Sequence, residues 1–137
     1  MSRLVPLDDS IWVAGQIQPG DVGSIAAAGI TAIVNNRPDG EEPGQPTGAE
    51  IEAAALGAGL AYRHIPFQGL PPAPAIEAVR LALAEAEGAT LLFCRSGTRS
   101  TWVWALARVR EGDDPEALMR VAAAAGYDLG ALPHYLG

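Results

Sequence analysis

An apolar run at residues 89–93, Ala-Thr-Leu-Leu-Phe, leads straight into Cys94-Arg95-Ser96-Gly97-Thr98-Arg99-Ser100, and then into an apolar segment from Thr101 to Arg108. A short apolar run before a glycine-containing turn reads as a buried strand, and the segment beyond the turn has the length and apolar content of a helix. The only cysteine therefore sits where a strand hands over to a helix. Free N–H groups and the positive end of the helix dipole gather there and favour a negative charge. A thiol held among them loses its proton more easily, which marks Cys94 as a candidate nucleophile. Arg95 and Arg99 add two guanidiniums. Gly97 lets the backbone around Ser96 and Thr98 curl its N–H groups inward around an anion. The alternative reading, a small buried hydrophobe, suits a lone cysteine but not one followed by this Gly, Arg and Ser pattern.

The rest of the chain alternates strand and helix in the same way. Residues 11–14 form a short strand candidate. A helix over 19–28 has Pro19 near its start and Gly29 past its end. The β-branched run 30–34 reads as a strand buried on both faces. Residues 35–48 form a polar loop with three prolines and three glycines. Thr47 opens a helix to Ala58, with Glu50 completing a capping box. A strand over 60–66 and a Pro-rich connection over 68–74 come next, then a helix over 75–87 ended by Gly88. The helix after the cysteine turn runs to about Arg110. Asp114 and Pro115 open a further helix to Ala125, which Gly126 stops. His134 and Tyr135 fall in a Pro-broken tail with no assignment.

This order implies an α/β fold in one domain over 1–137: a compact, mostly parallel sheet of four or five strands flanked by helices. Ligands of such sheets bind beyond the C-terminal ends of the strands. That rule brings three loops to one rim, 35–47, 67–74 and 94–100.

Composition narrows the function classes. Hydrophobic residues make up 49% and aromatic residues 6%, so the core is aliphatic. All nine basic residues are arginine, against sixteen acids, and the net charge of −7 argues against a general binder of nucleic acid or anionic membrane. One cysteine excludes an internal disulfide, and with two histidines it argues against a structural zinc site, so no metal or cofactor is expected. The first residues lack the apolar core of a signal peptide and no run approaches membrane-spanning length, so a cytoplasmic setting is expected. Nothing in the sequence sets the oligomeric state.

The cysteine turn resembles the anion-cradling loops of cysteine-dependent phosphatases and of rhodanese-type sulfurtransferases. The phosphatase pattern has five residues between Cys and Arg, usually with His before the Cys. Here four residues separate Cys94 from Arg99 and Phe93 holds the His place, which is closer to the shorter rhodanese loop. Phosphatases place a hydroxyl directly after the Arg, where it bonds the thiolate. Ser100 holds that place, and a plain first-turn helix serine is the other reading.

Across the chain the segments Trp12-Val13-Ala14-Gly15-Gln16, Gly29-Ile30-Thr31, Asn36-Arg37-Pro38-Asp39-Gly40-Glu41-Glu42, Tyr62-Arg63-His64-Ile65-Pro66 and the cysteine turn follow one another. In this order they resemble the family called beta-lactamase hydrolase-like protein, phosphatase-like domain, over about residues 3–125. The resemblance implies a dual-specificity-phosphatase-type fold. Members are named both phosphatases and sulfurtransferases, so two reactions stand open.

Thiolate attack on a phosphomonoester expels an alkoxide, and proton donation to it contributes about 10²–10⁴-fold. In dual-specificity enzymes an Asp after the strand carrying Tyr…Ile-Pro does this. Here that place reads Phe67-Gln68-Gly69, and the nearest replacements are Asp39, Glu41 and Glu42 on the neighbouring loop. The other reading of these carboxylates is structural: Asp39-Gly40 makes a turn, and the glutamates pair with Arg37, Arg95 or Arg99. Sulfur transfer needs no acid, because a thiosulfate donor leaves as sulfite and Cys94 carries a persulfide that loop N–H groups and Arg99 stabilise.

The short loop and missing acid favour sulfane-sulfur transfer between a small-molecule donor and acceptor. Hydrolysis of a phosphorylated substrate through a phosphocysteine is the alternative. An inactive anion- or phosphopeptide-binding module is the third reading. His64, alternating with Tyr62, reads as a hydrogen-bonded histidine rather than a base, and Trp102 and Trp104 as core or loop support.

Overall fold

Leucine, isoleucine and valine at 89–93 and 30–35 are too apolar to leave either face of a sheet open to water, and they place two strands side by side at its middle. The computed structural model describes residues 3–136. Its strands are β1 (Val5–Pro6), β2 (Ile11–Ala14), β3 (Ile30–Asn35), β4 (Ala61–His64) and β5 (Ala89–Phe93). Its helices are α1 (Val22–Ala27), α2 (Gly48–Gly57), α3 (Ala73–Glu85), α4 (Thr98–Arg110), α5 (Pro115–Ala124) and α6 (Leu132–Leu136), with a 3₁₀ turn at Pro19–Asp21 before α1.

The five strands form one sheet in the order β1-β2-β5-β3-β4. β1 runs antiparallel to β2, and the other pairings are parallel. The register levels the strand ends that carry the site. Ala14 and Asn35 both lie opposite Phe93, and His64 lies opposite Asn35. The loops after β2, β3, β4 and β5 therefore leave the sheet from one row.

Side-chain alternation along the strands splits the core in two. Val13, Val34 and Leu92 point to one face, where α3, α4 and α5 supply Val79, Val103, Trp104 and Leu118. Ala14, Ile33, Leu91 and Phe93 point to the other, against Val22, Ile25, Ile51 and Ala55 from α1 and α2. The helix ends carry the expected chemistry. Thr47 accepts from the Glu50 N–H while Glu50 reaches back to the Thr47 N–H, and Asp114 accepts from the N–H groups of Glu116 and Ala117.

Several expectations needed revision. β3 is not covered throughout: Thr31 is exposed, because the register shift between Ile30 and Ala32 turns it to the surface. α3 begins at Ala73, inside the Pro-rich connection, since Pro74 falls in the first turn where a missing N–H costs nothing. The same helix ends before Gly88, whose place is set by close approach instead. A Cβ there would lie 2.9 Å from the Thr31 methyl. β4 spans only 61–64. β1 and α6 carried no sequence signal strong enough to be read. α6 is held by the Tyr135 hydroxyl, which donates to the Pro71 carbonyl at 2.6 Å, and by an edge-to-face contact of Tyr135 with Trp102. Trp104, by contrast, is buried in the core.

Leu91 is fully buried in the central strand that also carries the cysteine turn. Leu91→Ala should lower unfolding stability by about 2–5 kcal/mol, read as a fall in the urea midpoint with an unchanged denaturant slope.

Candidate active site

β5 stops being a strand at Phe93, yet the Cys94 N–H still reaches the Ala14 carbonyl at 3.4 Å, so the cysteine is held in line with the sheet. Three residues later the chain turns at Gly97, whose φ of 94° is open to glycine and strained for other residues. Gly97 is the N-cap of α4, and its carbonyl takes both the Thr101 N–H and the Thr101 hydroxyl. The Gly97 N–H points back and donates to Cys94 Sγ at 3.1 Å. Cys94 is 1% exposed, beneath the N-terminus of a thirteen-residue helix. Ser96 and Thr98 join hydroxyls at 3.1 Å on the exposed side of the turn.

Arg99 lies in the first turn of α4, close enough to Cys94 for the charge there to act on it. Its fork also engages Glu41 with both terminal nitrogens, at 2.9 and 2.8 Å, and the Phe67 carbonyl at 3.1 Å. The bond from Arg99 holds the Glu41 carboxyl down to about 2, against the opposing effect of burial and with further help from Arg37. The same bond, with the Cys94 charge, raises the Arg99 pKa despite desolvation. Arg37 is 3% exposed and spends its donors on Glu41, Glu42 and the Gln16 side chain. Glu42 in turn pairs with the Nε of Arg95, whose side chain is 67% exposed and lies over the rim rather than inside the turn.

The three rim loops do meet. Asn36, which drew no notice in the sequence as a site residue, is fully buried and ties them together. Its N–H donates to the Phe93 carbonyl and its side-chain amide to the Ile65 carbonyl, while its Oδ1 accepts from Ser100 and its carbonyl from the Phe67 N–H. A polar pair directly after a β-branched strand was the available signal.

Of the two readings of Ser100, the thiolate contact is not the bond its hydroxyl makes. Its buried hydroxyl gives its proton to Asn36 at 2.8 Å rather than to Cys94. Asp39 lies with α2: its Oδ1 accepts from the Gly48 N–H at 2.7 Å, at that helix's positive end. Gln68 is exposed. His64 donates from Nε2 to the Arg37 carbonyl at 2.8 Å, which fits a structural histidine. Among the described residues, no three His, Cys, Asp or Glu side chains gather as a metal site requires, and no helix is long and apolar enough to cross a membrane.

A buried thiol beyond the central strand of a mostly parallel sheet, under a helix N-terminus and beside a first-turn arginine, is the architecture of the cysteine phosphatases of dual-specificity type. Solved structures agree. Tk-PTP in its active form superposes with a TM-score of 0.68 at 22% identity, covering 88% of this chain and 82% of its own. A kinase associated phosphatase with its catalytic cysteine changed to serine gives 0.68 at 15%, covering 88% and 80%. At those identities the likeness is one of fold. A "putative phosphatase" from Neisseria meningitidis is nearer, with a TM-score of 0.84 at 33% identity over 96% of this chain and 94% of that one.

The family model for beta-lactamase hydrolase-like protein, phosphatase-like domain, matches residues 3–111, and the chain belongs to that family. Beta-lactamase hydrolase-like proteins of Xylella fastidiosa (strain 9a5c) and Agrobacterium fabrum (strain C58) are 40% and 38% identical to it, over 93% and 80% of its length. The chain spans 30% and 26% of those two proteins.

The depressed Glu41 pKa makes a stability prediction. A carboxyl lowered on folding stabilises the native state above its unfolded value, near 4.5, and that contribution is lost as pH falls toward about 2. Glu41→Gln should therefore flatten the loss of thermal stability across this acidic window relative to the unmodified protein, as followed by melting curves at stepped pH.

Proposed function

We propose that the chain is a cysteine-thiolate hydrolase of the phosphatase class, acting on phosphate monoesters whose leaving group departs without a proton. The observation that carries this reading is the Gly97 N–H aimed at Cys94 Sγ at 3.1 Å, at the N-terminus of α4 and next to Arg99. The Cys94 thiolate attacks phosphorus, an S–P bond forms, and the P–O bond breaks with its electron pair leaving on the alcohol oxygen. Arg99 and the turn's N–H groups hold the phosphoryl oxygens. Water then attacks phosphorus, the S–P bond breaks, and the thiolate is restored as inorganic phosphate departs.

The leaving-group restriction follows from the carboxylates. Glu41 is ionised and bound by Arg99 and Arg37, Glu42 bridges Arg37 and Arg95, and Asp39 bonds the start of α2. Glu41 therefore holds no proton for an alkoxide, and Glu42 and Asp39 are taken up by these contacts, so aryl phosphates suit the site better than alkyl ones. The fold and the names of the relatives support phosphate chemistry over the sulfur transfer that the four-residue Cys94–Arg99 spacing suggested. Sulfane-sulfur transfer remains the second reading on one specific ground, that these same carboxylates leave no general acid and sulfite departure needs none.

One set of measurements separates the two. Hydrolysis of a series of aryl phosphates should proceed, fall steeply as the phenol becomes less acidic, vanish in Cys94→Ser, and drop by at least about tenfold in Arg99→Lys, which loses the planar fork. Absence of aryl phosphate turnover, with mass spectrometry showing one added sulfur on Cys94 after thiosulfate treatment, would overturn phosphatase chemistry in favour of sulfur transfer.

A further inference from the structure

Tyr127 has no place in the site just described, and it lies 31 positions away in sequence from the residue it touches. α5 ends at Ala124, and Gly126 turns the chain at a φ of 97°. The Tyr127 N–H then returns to the Ala122 carbonyl and the Gly126 N–H to the Ala123 carbonyl, the paired bonds of a Schellman cap. This cap brings the Tyr127 ring against the outside of the cysteine turn. Its hydroxyl donates to the Ser96 carbonyl at 3.1 Å. A Cβ on Gly97 would lie 2.2 Å from that hydroxyl, so the tyrosine occupies the space which the glycine leaves.

The Ser96 carbonyl and the Gly97 N–H belong to one peptide group. The bond is trans, so the two point in opposite directions. The carbonyl faces Tyr127 on one side, and the N–H faces Cys94 Sγ at 3.1 Å on the other. The preceding peptide is anchored similarly: the Arg95 carbonyl accepts from the Gln16 N–H at 3.2 Å, and a Cβ on Gly15 would come within 3.0 Å of that carbonyl. Both carbonyls are thus held outward by donors from other parts of the chain. Tyr127 is the side-chain member of this pair.

We propose that Tyr127 is a positioning residue for the thiolate: by holding the Ser96 carbonyl outward, it fixes the Ser96–Gly97 peptide so that its N–H stays aimed at Cys94 Sγ. The bond also polarises the peptide, which strengthens the N–H as a donor. The phenol stays protonated and able to donate, since burial, and then the charge at Cys94, raises its pKa. The inference needs a Cys94 thiolate but no particular substrate, so it holds under either reaction.

The test is Tyr127→Phe, which deletes one hydroxyl and keeps the ring. Because Cys94 is the only cysteine, iodoacetamide alkylation reports on it alone. The other charged groups around the turn and Tyr127 include Arg3 before β1, whose charge acts on the phenol, Arg99 on α4, Arg95 within the turn, and Glu41, Glu42 and Arg37 after β3, all unchanged in the variant. The pH midpoint of alkylation should move upward by roughly half a unit to one unit, the size expected for losing the alignment of one hydrogen bond to a charged group. The melting temperature should change by only a few degrees. An alkylation profile that overlays that of the unmodified protein would overturn the proposal. The assay contains no phosphate ester or sulfur donor, so its outcome is separate from that of the substrate experiments.

Discussion

A guanidinium that is almost wholly buried must find acceptors inside the protein, because an unpaired charge there costs several kcal/mol or more. Arg37 is such a group, and its demands organise the rim. Its Nε takes Glu41, its terminal nitrogens take Glu42 and Gln16, its N–H takes Asn35 Oδ1, and its carbonyl receives His64. The two glutamates then pass this constraint on, Glu41 to Arg99 on α4 and Glu42 to Arg95 in the turn. A loop rich in proline and glycine acquires one conformation because a buried charge will accept no other. The arginine nearest the thiol is steadied from behind as a consequence.

The same pairing makes Glu41 a poor proton donor. A glutamate clamped by two guanidiniums is stabilised in its ionised form, and one that bridges two arginines serves geometry rather than proton transfer. What the site offers a reacting group is fixed positive charge and N–H dipoles, which stabilise a tetrahedral oxyanion without reorganising. Chemistry whose leaving group departs as an anion fits this supply. Phosphate esters of acidic alcohols and thiosulfate both meet the condition, which is why fold and family are needed to rank them.

Much of this was legible in the linear order of residues. The strand before Cys94 and the helix after it were marked by an apolar run and a glycine turn, and the capping box at Thr47 and the Asp114 N-cap followed by Pro115 marked two further helices. Those signals are local, since they depend on residues within one turn of each other. The roles of Ser100 and Asp39 were harder to read, because each side chain had two possible partners and only packing chose between them. Ser100 turns to Asn36, 64 positions away. Asp39 turns to the start of α2, nine positions on.

The sequence by itself determined the alternation of elements, the parallel sheet and the position of a thiol under a helix N-terminus, because hydrophobic period and backbone stereochemistry act over short distances. Only the tertiary structure decided which face of each loop residue met the turn. Asn36, Gln16 and Tyr127 reach the cysteine turn from three separate parts of the chain, and for Gln16 and Tyr127 nothing in their immediate neighbours in sequence foretells it. Their places follow from strand register and helix capping, which bring distant segments to one row of strand ends, and there the need to pair every buried polar group selects the partners.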